Sequence, residues 1–484
     1  MATMLSNLKS KIQNPKLALA AALFLIGVPL LALDYPPLAP DPAAFRARRE
    51  KFMARLPQNA IAILRSAPLR TMTNDVEYLY RQDSDFYYLT GIEEDDVTAV
   101  FRPNAPDHLR YILFLRPRDL RREAWQGVRV GPDEAPKAYG AEAAFPLADF
   151  SAKMRTFDRA TMTPGGYLAG VEELYLYDGA DEAWSTKFRA EFDPLKTERG
   201  SALSTLVDAR SIIHEMRLIK DDEDLRFLRR AAEMSARGHA LAMGAAAPGK
   251  YEFEVQQALD GFCYRNGARR MAYPSITGSG PNSCILHYDQ SSRQMKDGEL
   301  LLNDSGAEYG EYATDITRTY PVNGHFSAEQ RAIYEIVLAA QKAALALVKP
   351  GATHDDVEKK AAQVQTEGLL KLGLLSGDAA EILKTSAQRK LTLHGVSHWV
   401  GLDVHDVGSY GTPGKSRVLA AGMVFTIEPG IYIPANMSGV DPKWWNIGVR
   451  IEDTILVTRD GADCLSCGAP REIADVEKAV QAGR

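Results

Sequence analysis

The stretch Glu299-Leu-Leu-Leu-Asn-Asp304-Ser305-Gly306 is followed by Tyr312-Ala-Thr-Asp315-Ile-Thr-Arg318, with apolar, β-prone residues around each aspartate. A regular hairpin centred on Tyr309-Gly310 pairs Asp304 with Asp315, their Cβ atoms about 5 Å apart. Like charges directly opposite on a sheet repel unless something positive lies between them, and two divalent ions about 3.5–4 Å apart fit that gap. A solvated acidic hairpin is the alternative. Further along, His394, His398 and His405 cluster beside Trp399 and several glycines, three of only nine histidines in the chain. Gly395 excludes the H-E-x-x-H zinc helix. His287, in Cys-Ile-Leu-His-Tyr, is a weaker candidate when taken alone. Glu428 ends the apolar run Met423–Ile427 just before Pro429-Gly430, a strand terminus of the kind that carries active-site residues. From Gly448 to Val457 a period of two places Arg450, Glu452 and Thr454 on one face. A glutamate in so apolar a strand needs a metal or a cation, and Arg450 is the cation at hand. Two Asp, two Glu and one or more His form an oxygen-rich, thiolate-free donor set suited to Mn²⁺, Co²⁺ or Zn²⁺. Two such ions turn a shared water into hydroxide near neutral pH and polarise the carbonyl it attacks, which is hydrolytic chemistry.

Other chemistry finds less support. Gly408 to Ser416 approaches a P-loop, but Ser409 stands where its first glycine is required, and no G-x-S-x-G occurs. Cys464-Leu-Ser-Cys467 is a lone CxxC, read as incidental unless export gives it a redox role. The 484 residues are 45% hydrophobic and 25% charged, with a net charge of −6, so the chain is globular and lacks a basic footprint for nucleic acid. The elements that must position the site divide in two. Across 41–208, strands at Ala60–Leu64, Tyr111–Leu115 and Leu174–Leu176 alternate with helical runs, giving an α/β domain. Asp221-Asp222-Glu223-Asp224 caps a helix that continues through Leu225, Leu228, Ala232 and Ser235, and it opens an α+β domain over 209–484. Residues 1–40 carry Lys9, Lys11 and Lys16, then an apolar run from Leu17 to Leu33, then the start of a stiff spacer, Pro36, Pro37 and Pro40, which runs on to Pro42. The run has the form of a signal peptide without a clean cleavage site. It points to an exported or membrane-anchored protein, and a cytoplasmic one with an apolar start is the alternative.

The chain resembles Xaa-Pro aminopeptidase (aminopeptidase P) among the pita-bread metallopeptidases. The resemblance covers nearly everything after the spacer, including Tyr80 to Gly91, Arg116 to Asp119, His214 to Lys220 and Gly278 to Gly280. It implies an aminopeptidase P-like α/β domain followed by a pita-bread catalytic domain. It also implies two metals, most commonly Mn²⁺, with Asp315 and Glu452 bridging, Asp304 on one ion, and His398 with Glu428 on the other. Glu428 then also shuttles protons; His287, His394 and His405 orient substrate; Tyr273 and Tyr432 line the pocket; and Arg450 supports a metal carboxylate. Peptides with proline second are the implied substrates, released of their first residue, with a homo-oligomer as the working assembly. Prolidase, which cleaves Xaa-Pro dipeptides, is the alternative on the same scaffold. A non-catalytic pita-bread protein is a third reading, opposed by the presence of all five ligands. Asn303 and Ser305 depart from the family pattern without removing a ligand.

Overall fold

In a computed structural model, which describes residues 35–105, 107–155, 157–158, 163–164, 166–197 and 202–483, helix α1 (Pro42–Met53) begins on an Asp41 cap. It is followed by β1 (Ala60–Arg65), six residues without an exposed position, as expected of a strand covered on both faces. Strands β2 (Thr98–Phe101), β3 (Tyr111–Leu115), β4 (Ala143–Pro146), β5 (Glu173–Tyr177) and β6 (Thr205–Asp208) complete a mixed sheet in the order β6-β5-β1-β2-β3-β4. Pairing is parallel for β1–β5, β5–β6 and β3–β4 and antiparallel for β1–β2 and β2–β3. The expected strands at 60–64, 111–115 and 174–176 are all in this sheet. The apolar run Leu17–Leu33 lies outside the described residues, and among those described no helix is long and apolar enough to cross a membrane.

After β6, α2 (Arg210–Leu218) leads into α3 (Asp222–Ala245), whose start is a reciprocal capping box. The Asp224 N–H donates to Asp221 Oδ1 and the Asp221 N–H to Asp224 Oδ2, each at 2.9 Å. Such a cap contributes about 1 kcal/mol. Helices α3 and α4 (Glu252–Arg265) pack together outside a set of short antiparallel strands. Strand β7 (Ile276–Ser279) pairs with β8 (Leu300–Asp304), and the β9 (Ala307–Tyr309) to β10 (Tyr312–Ala313) hairpin leads into β11 (Thr317–Pro321), which pairs back onto β8. Helices α5 (Ala328–Leu345) and α6 (His354–Lys371) pack together. Then come β12 (Val424–Ile427), β13 (Gly430–Ile433), β14 (Ile447–Arg450) and β15 (Asp453–Val457), paired β12–β15 and β13–β14. Helices packed on short antiparallel strands, with carboxylates at the strand ends, make this the expected α+β domain.

Two expectations need correction. The hairpin turns on Gly310-Glu311, not Tyr309-Gly310, so Tyr309 pairs with Tyr312 and Asp304 with Thr317. Both central residues have positive φ, 58° and 69°, the geometry of a type I′ turn. Glu311 accepts that conformation while pairing with Arg270 at 3.3 Å. Asp315 therefore does not face Asp304 across the ladder. It lies beside Gly306, where an added Cβ would fall 1.8 Å from the Thr314 carbonyl oxygen. The proline segment is likewise no free spacer. Tyr35 is buried, Arg230 and Arg226 of α3 donate to the Pro36 and Ala39 carbonyls at 2.6 and 2.7 Å, and Leu38 N–H donates to the Tyr309 hydroxyl at 2.9 Å. Residues 35–41 strap along the catalytic domain.

Candidate metal centre and active site

Asp304 is the last residue of β8, and Asp315 sits on the link between β10 and β11. His398 is fixed against β12 by two bonds: Thr426 N–H donates to its carbonyl at 2.8 Å, and its own N–H donates to Thr426 Oγ1 at 3.1 Å. Glu428 follows β12, held by its N–H to the Val396 carbonyl at 2.8 Å. Glu452 occupies the break between β14 and β15, with its N–H on the Thr317 carbonyl at 3.0 Å. These five meet. His398 Nε2 lies 3.3 Å from Asp315 Oδ2, 3.5 Å from Glu428 Oε1 and 3.9 Å from Glu452 Oε1. Asp304, Asp315 and Glu452 bring one carboxylate oxygen each within 4.8 Å of one another, as do the donor atoms of His398, Glu428 and Glu452.

The surroundings argue for cations. The Tyr273 hydroxyl is 2.6 Å from Asp304 Oδ1 and 2.5 Å from Asp315 Oδ1. The hydroxyl has one proton to share between two carboxylate oxygens, which leaves their repulsion only partly offset, and a further proton or a metal would balance the pair. Burial pushes the Glu428 carboxyl up to about 8 against the opposing charges of His398 and Arg450. Burial and the negative charge of Asp315 hold Glu452 well above the carboxylate range, and burial raises Asp304 despite Arg450. For Asp315, burial is outweighed by the hydrogen bond and charge of His398, which lower it. His398 rises to about 9, its own burial overcome by Asp315 and Glu428. Four carboxylates that can ionise together only beside positive charge fit a pair of divalent ions, with His398 as the imidazole donor.

Around the cluster, Arg450 reaches Asp304 Oδ2 at 2.5 Å, Thr317 Oγ1 at 3.0 Å and the Tyr432 hydroxyl at 2.7 Å. Arg450 thus pairs with Asp304 rather than with Glu452, whose Oε2 accepts from the Thr317 hydroxyl at 2.6 Å. His394 Nε2 lies 2.7 Å from the Tyr432 hydroxyl, and its Nδ1 is 3.6 Å from Glu428 Oε2. Burial, with Arg450 adding to it, lowers His394 to about 4, so its ring is neutral. His405 packs against His398 with ring centroids 4.1 Å apart and their planes inclined at 58°. His287 is exposed and lies within electrostatic range of both His394 and His405. All eleven residues singled out from the sequence gather here. Sequence reasoning missed Thr317 and Thr426. Their positions two residues from Asp315 and Glu428 on β-prone runs are the signal that could have found them. It also passed over the role of the CxxC: Cys464 and Cys467 form a disulfide. Between them, the Ser466 hydroxyl donates to Asp453 at 2.7 Å and accepts from Thr454 N–H at 3.0 Å. The Thr454 hydroxyl in turn bonds the Asp315 carbonyl at 2.9 Å.

Residues 226–459 match the model of Metallopeptidase family M24, and 45–162 match that of the Aminopeptidase P, N-terminal domain. The Xaa-Pro aminopeptidase of Escherichia coli (strain K12) is 38% identical over 443 residues, covering 91% of this chain and 98% of the relative. The chain belongs to metallopeptidase family M24. Among solved M24 structures, aminopeptidase PepP of Pseudomonas aeruginosa superposes with a TM-score of 0.86 at 39% identity, over 92% of this chain and 98% of that one. Aminopeptidase P from E. coli with the inhibitor Pro-Leu gives 0.86 at 37% identity, over 93% and 100%. The expected two-domain fold is thus the M24 fold of the aminopeptidase P type.

Proposed function

We propose that this M24 enzyme is an Xaa-Pro aminopeptidase, removing the first residue from peptides whose second is proline. One observation carries the reading: near-complete coverage of an Xaa-Pro aminopeptidase at 38% identity, around a buried centre in which all five expected donors converge. Asp304, Asp315, His398, Glu428 and Glu452 would hold two divalent ions, Mn²⁺ in our reading. Bound there, such ions supply an activated water and polarise the scissile carbonyl. Glu428, with its raised carboxyl 3.5 Å from His398, is the group able to take a proton from the water and return it to the departing proline nitrogen. Neutral His394, oriented by Tyr432, presents an uncharged imidazole toward Glu428, and His287 with His405 borders the open side where peptide enters.

We also infer a homo-oligomer. Helix Leu120–Gln126 buries none of its residues, and Leu120, Trp125 and Val128 are 80%, 91% and 77% exposed, an apolar face that a second copy would cover. We place the domain boundary at 208–209, supported by the end of the six-stranded sheet. Export or anchoring through residues 17–33 is our reading of location, supported by the Cys464–Cys467 disulfide, since such bonds persist in oxidising compartments. The functional test uses Mn²⁺-loaded protein on Xaa-Pro-Xaa tripeptides beside Xaa-Pro dipeptides, with a chelator control. Chelator-sensitive release of the first residue, mainly from tripeptides, is expected. Preference for dipeptides means prolidase, and no cleavage with metal bound refutes both.

A further inference from the structure

His405 lies on neither helix nor strand but on the loop that leaves His398 and returns at Asp406. The loop closes on itself. Asp406 N–H donates to the Trp399 carbonyl at 2.8 Å, Gly401 N–H to the Asp403 carbonyl at 3.0 Å, and Ala313 N–H, two residues before Asp315, to the Gly401 carbonyl at 2.8 Å. This closure brings the His398 and His405 rings together. Gly401 is obligatory, since a Cβ there would fall 2.1 Å from Asp406 Oδ2.

The acidic groups of this loop are gripped from outside the metal cluster. Asp406 is buried, accepting from Lys220 Nζ at 2.6 Å and from Arg217. Arg217, 2% exposed at the junction of the domains, also donates to Asp403 Oδ2 at 2.7 Å and to Asp85 Oδ1 at 2.6 Å. Arg81 donates to the Leu402 carbonyl at 2.5 Å and lies 3.4 Å from Asp403, which also accepts from the Ser84 hydroxyl at 2.7 Å. Arg81, Ser84 and Asp85 belong to the N-terminal domain, whose described residues contribute no candidate ligand to the metal centre. A buried charge cluster that served only to glue two domains could sit anywhere on their interface. This one is attached to the 401–406 loop that carries His405.

We propose that Arg217 and Arg81 are positioning residues that hold the 401–406 loop, and through it His405, so that the N-terminal domain is part of the working active site. The proposal rests on the peptidase reading above and deepens it. Charge-assisted, forked contacts from a planar guanidinium fix direction as well as distance, which lysine cannot reproduce in full.

The test takes full-length, metal-loaded protein carrying Arg81→Met, Arg217→Lys or Arg217→Met, each alone and combined with His405→Ala. Cleavage of an Xaa-Pro-Xaa tripeptide, metal content, and hydrogen exchange at the Asp406 amide are measured together. The expected loss in kcat/KM is roughly 10- to 100-fold for Arg81→Met and Arg217→Met, the range for small misplacement of an active-site group. Both metals should stay bound, Arg217→Lys should recover part of the rate, and Asp406 should exchange faster. In the His405→Ala background the same changes should cost less than about 2-fold, because the residue they act through is gone. Full additivity with His405→Ala, or wild-type rates in the single variants, overturns the proposal. If Arg217→Met does not fold, Arg81→Met, on a half-exposed side chain, decides the question. A wild-type protein that cleaves no Xaa-Pro peptide refutes the function instead. Exchange at Asp406 still judges the loop, and unchanged exchange in Arg81→Met overturns the positioning role.

Discussion

Loading the centre with metal should expel protons, and the structure sets how many. Three of its groups hold protons near neutrality in the absence of metal: Glu428 at about 8, Glu452 well above the carboxylate range and His398 at about 9. At pH 7 a group of pKa 8 is about nine-tenths protonated, and one of pKa 9 almost fully so. All three must bind metal in the deprotonated form. Two ions should therefore displace roughly two to three protons at pH 7. The sign follows: as pH falls below 8, protons compete and apparent affinity drops by two to three powers of ten per pH unit (on the order of the proton count), while above 9 the dependence fades. Metal-free protein should behave oppositely in stability. All three folded values are raised, so the folded state holds more protons than the unfolded one, and stability is lost as pH climbs from the ordinary carboxylate range through 8 and 9. Titration calorimetry of Mn²⁺ into metal-free enzyme, in two buffers of different ionisation enthalpy, reads the proton count directly. Equal heats in both buffers would mean that the carboxylates were already ionised, and would refute a centre that holds protons where metal binds.

Asp315→Ala or Glu452→Ala should lose metal and activity together, because each carboxylate touches both halves of the donor cluster; full two-metal occupancy by elemental analysis in either variant would break the ligand assignment. Arg318 and Asp453 are both fully buried and 2.7 Å apart, so Arg318→Met leaves a buried carboxylate underpaired and should cost about 3–5 kcal/mol in urea unfolding. Burial depresses His239 to about 4, so as pH falls from 6.5 toward 4 the unfolded chain gains a proton that the folded one refuses. Stability should decline by about 3 kcal/mol over that window, a decline absent in His239→Gln. Reducing the short Cys464–Cys467 loop should lower stability by about 2 kcal/mol, read as a shift in the unfolding midpoint with and without a dithiol reductant.

Much of this was legible in sequence because the local rules act over short distances. The short apolar runs of β1 and β3, the alternation of β5 and the Asp221 cap of α3 are decided by neighbours within one or two turns, and they fell where the local pattern put them. The hairpin register did not. The rule that places glycine at a I′ turn is satisfied equally by Tyr309-Gly310 and Gly310-Glu311. The choice rests on Arg270, which meets Glu308 and Glu311 from β-strand residues far back in the chain. The proline strap was misread for the same reason. Composition describes its stiffness, but whether it is free depends on Arg226 and Arg230, nearly two hundred residues later.

The metal centre was the most legible part, because its residue types are costly to bury without a partner. A carboxylate inside an apolar run announces a partner even when the partner is unknown, so Asp304, Asp315, Glu428 and Glu452 were visible individually and the structure had only to bring them together. The residues that aim the centre carry no such mark. Thr317 and Thr426 are ordinary strand formers. Arg217 and Arg81 are ordinary surface charges until the fold buries one at the domain junction and sets both on the His405 loop. A substitution there would pass unnoticed in a search for ligands, yet three carboxylates converge on Arg217 alone. The difference between holding a metal and orienting a peptide is therefore one of range. Ligands are specified by their own chemistry and their strand, while the grip of Arg217 and Arg81 on the His405 loop exists only where the two domains touch.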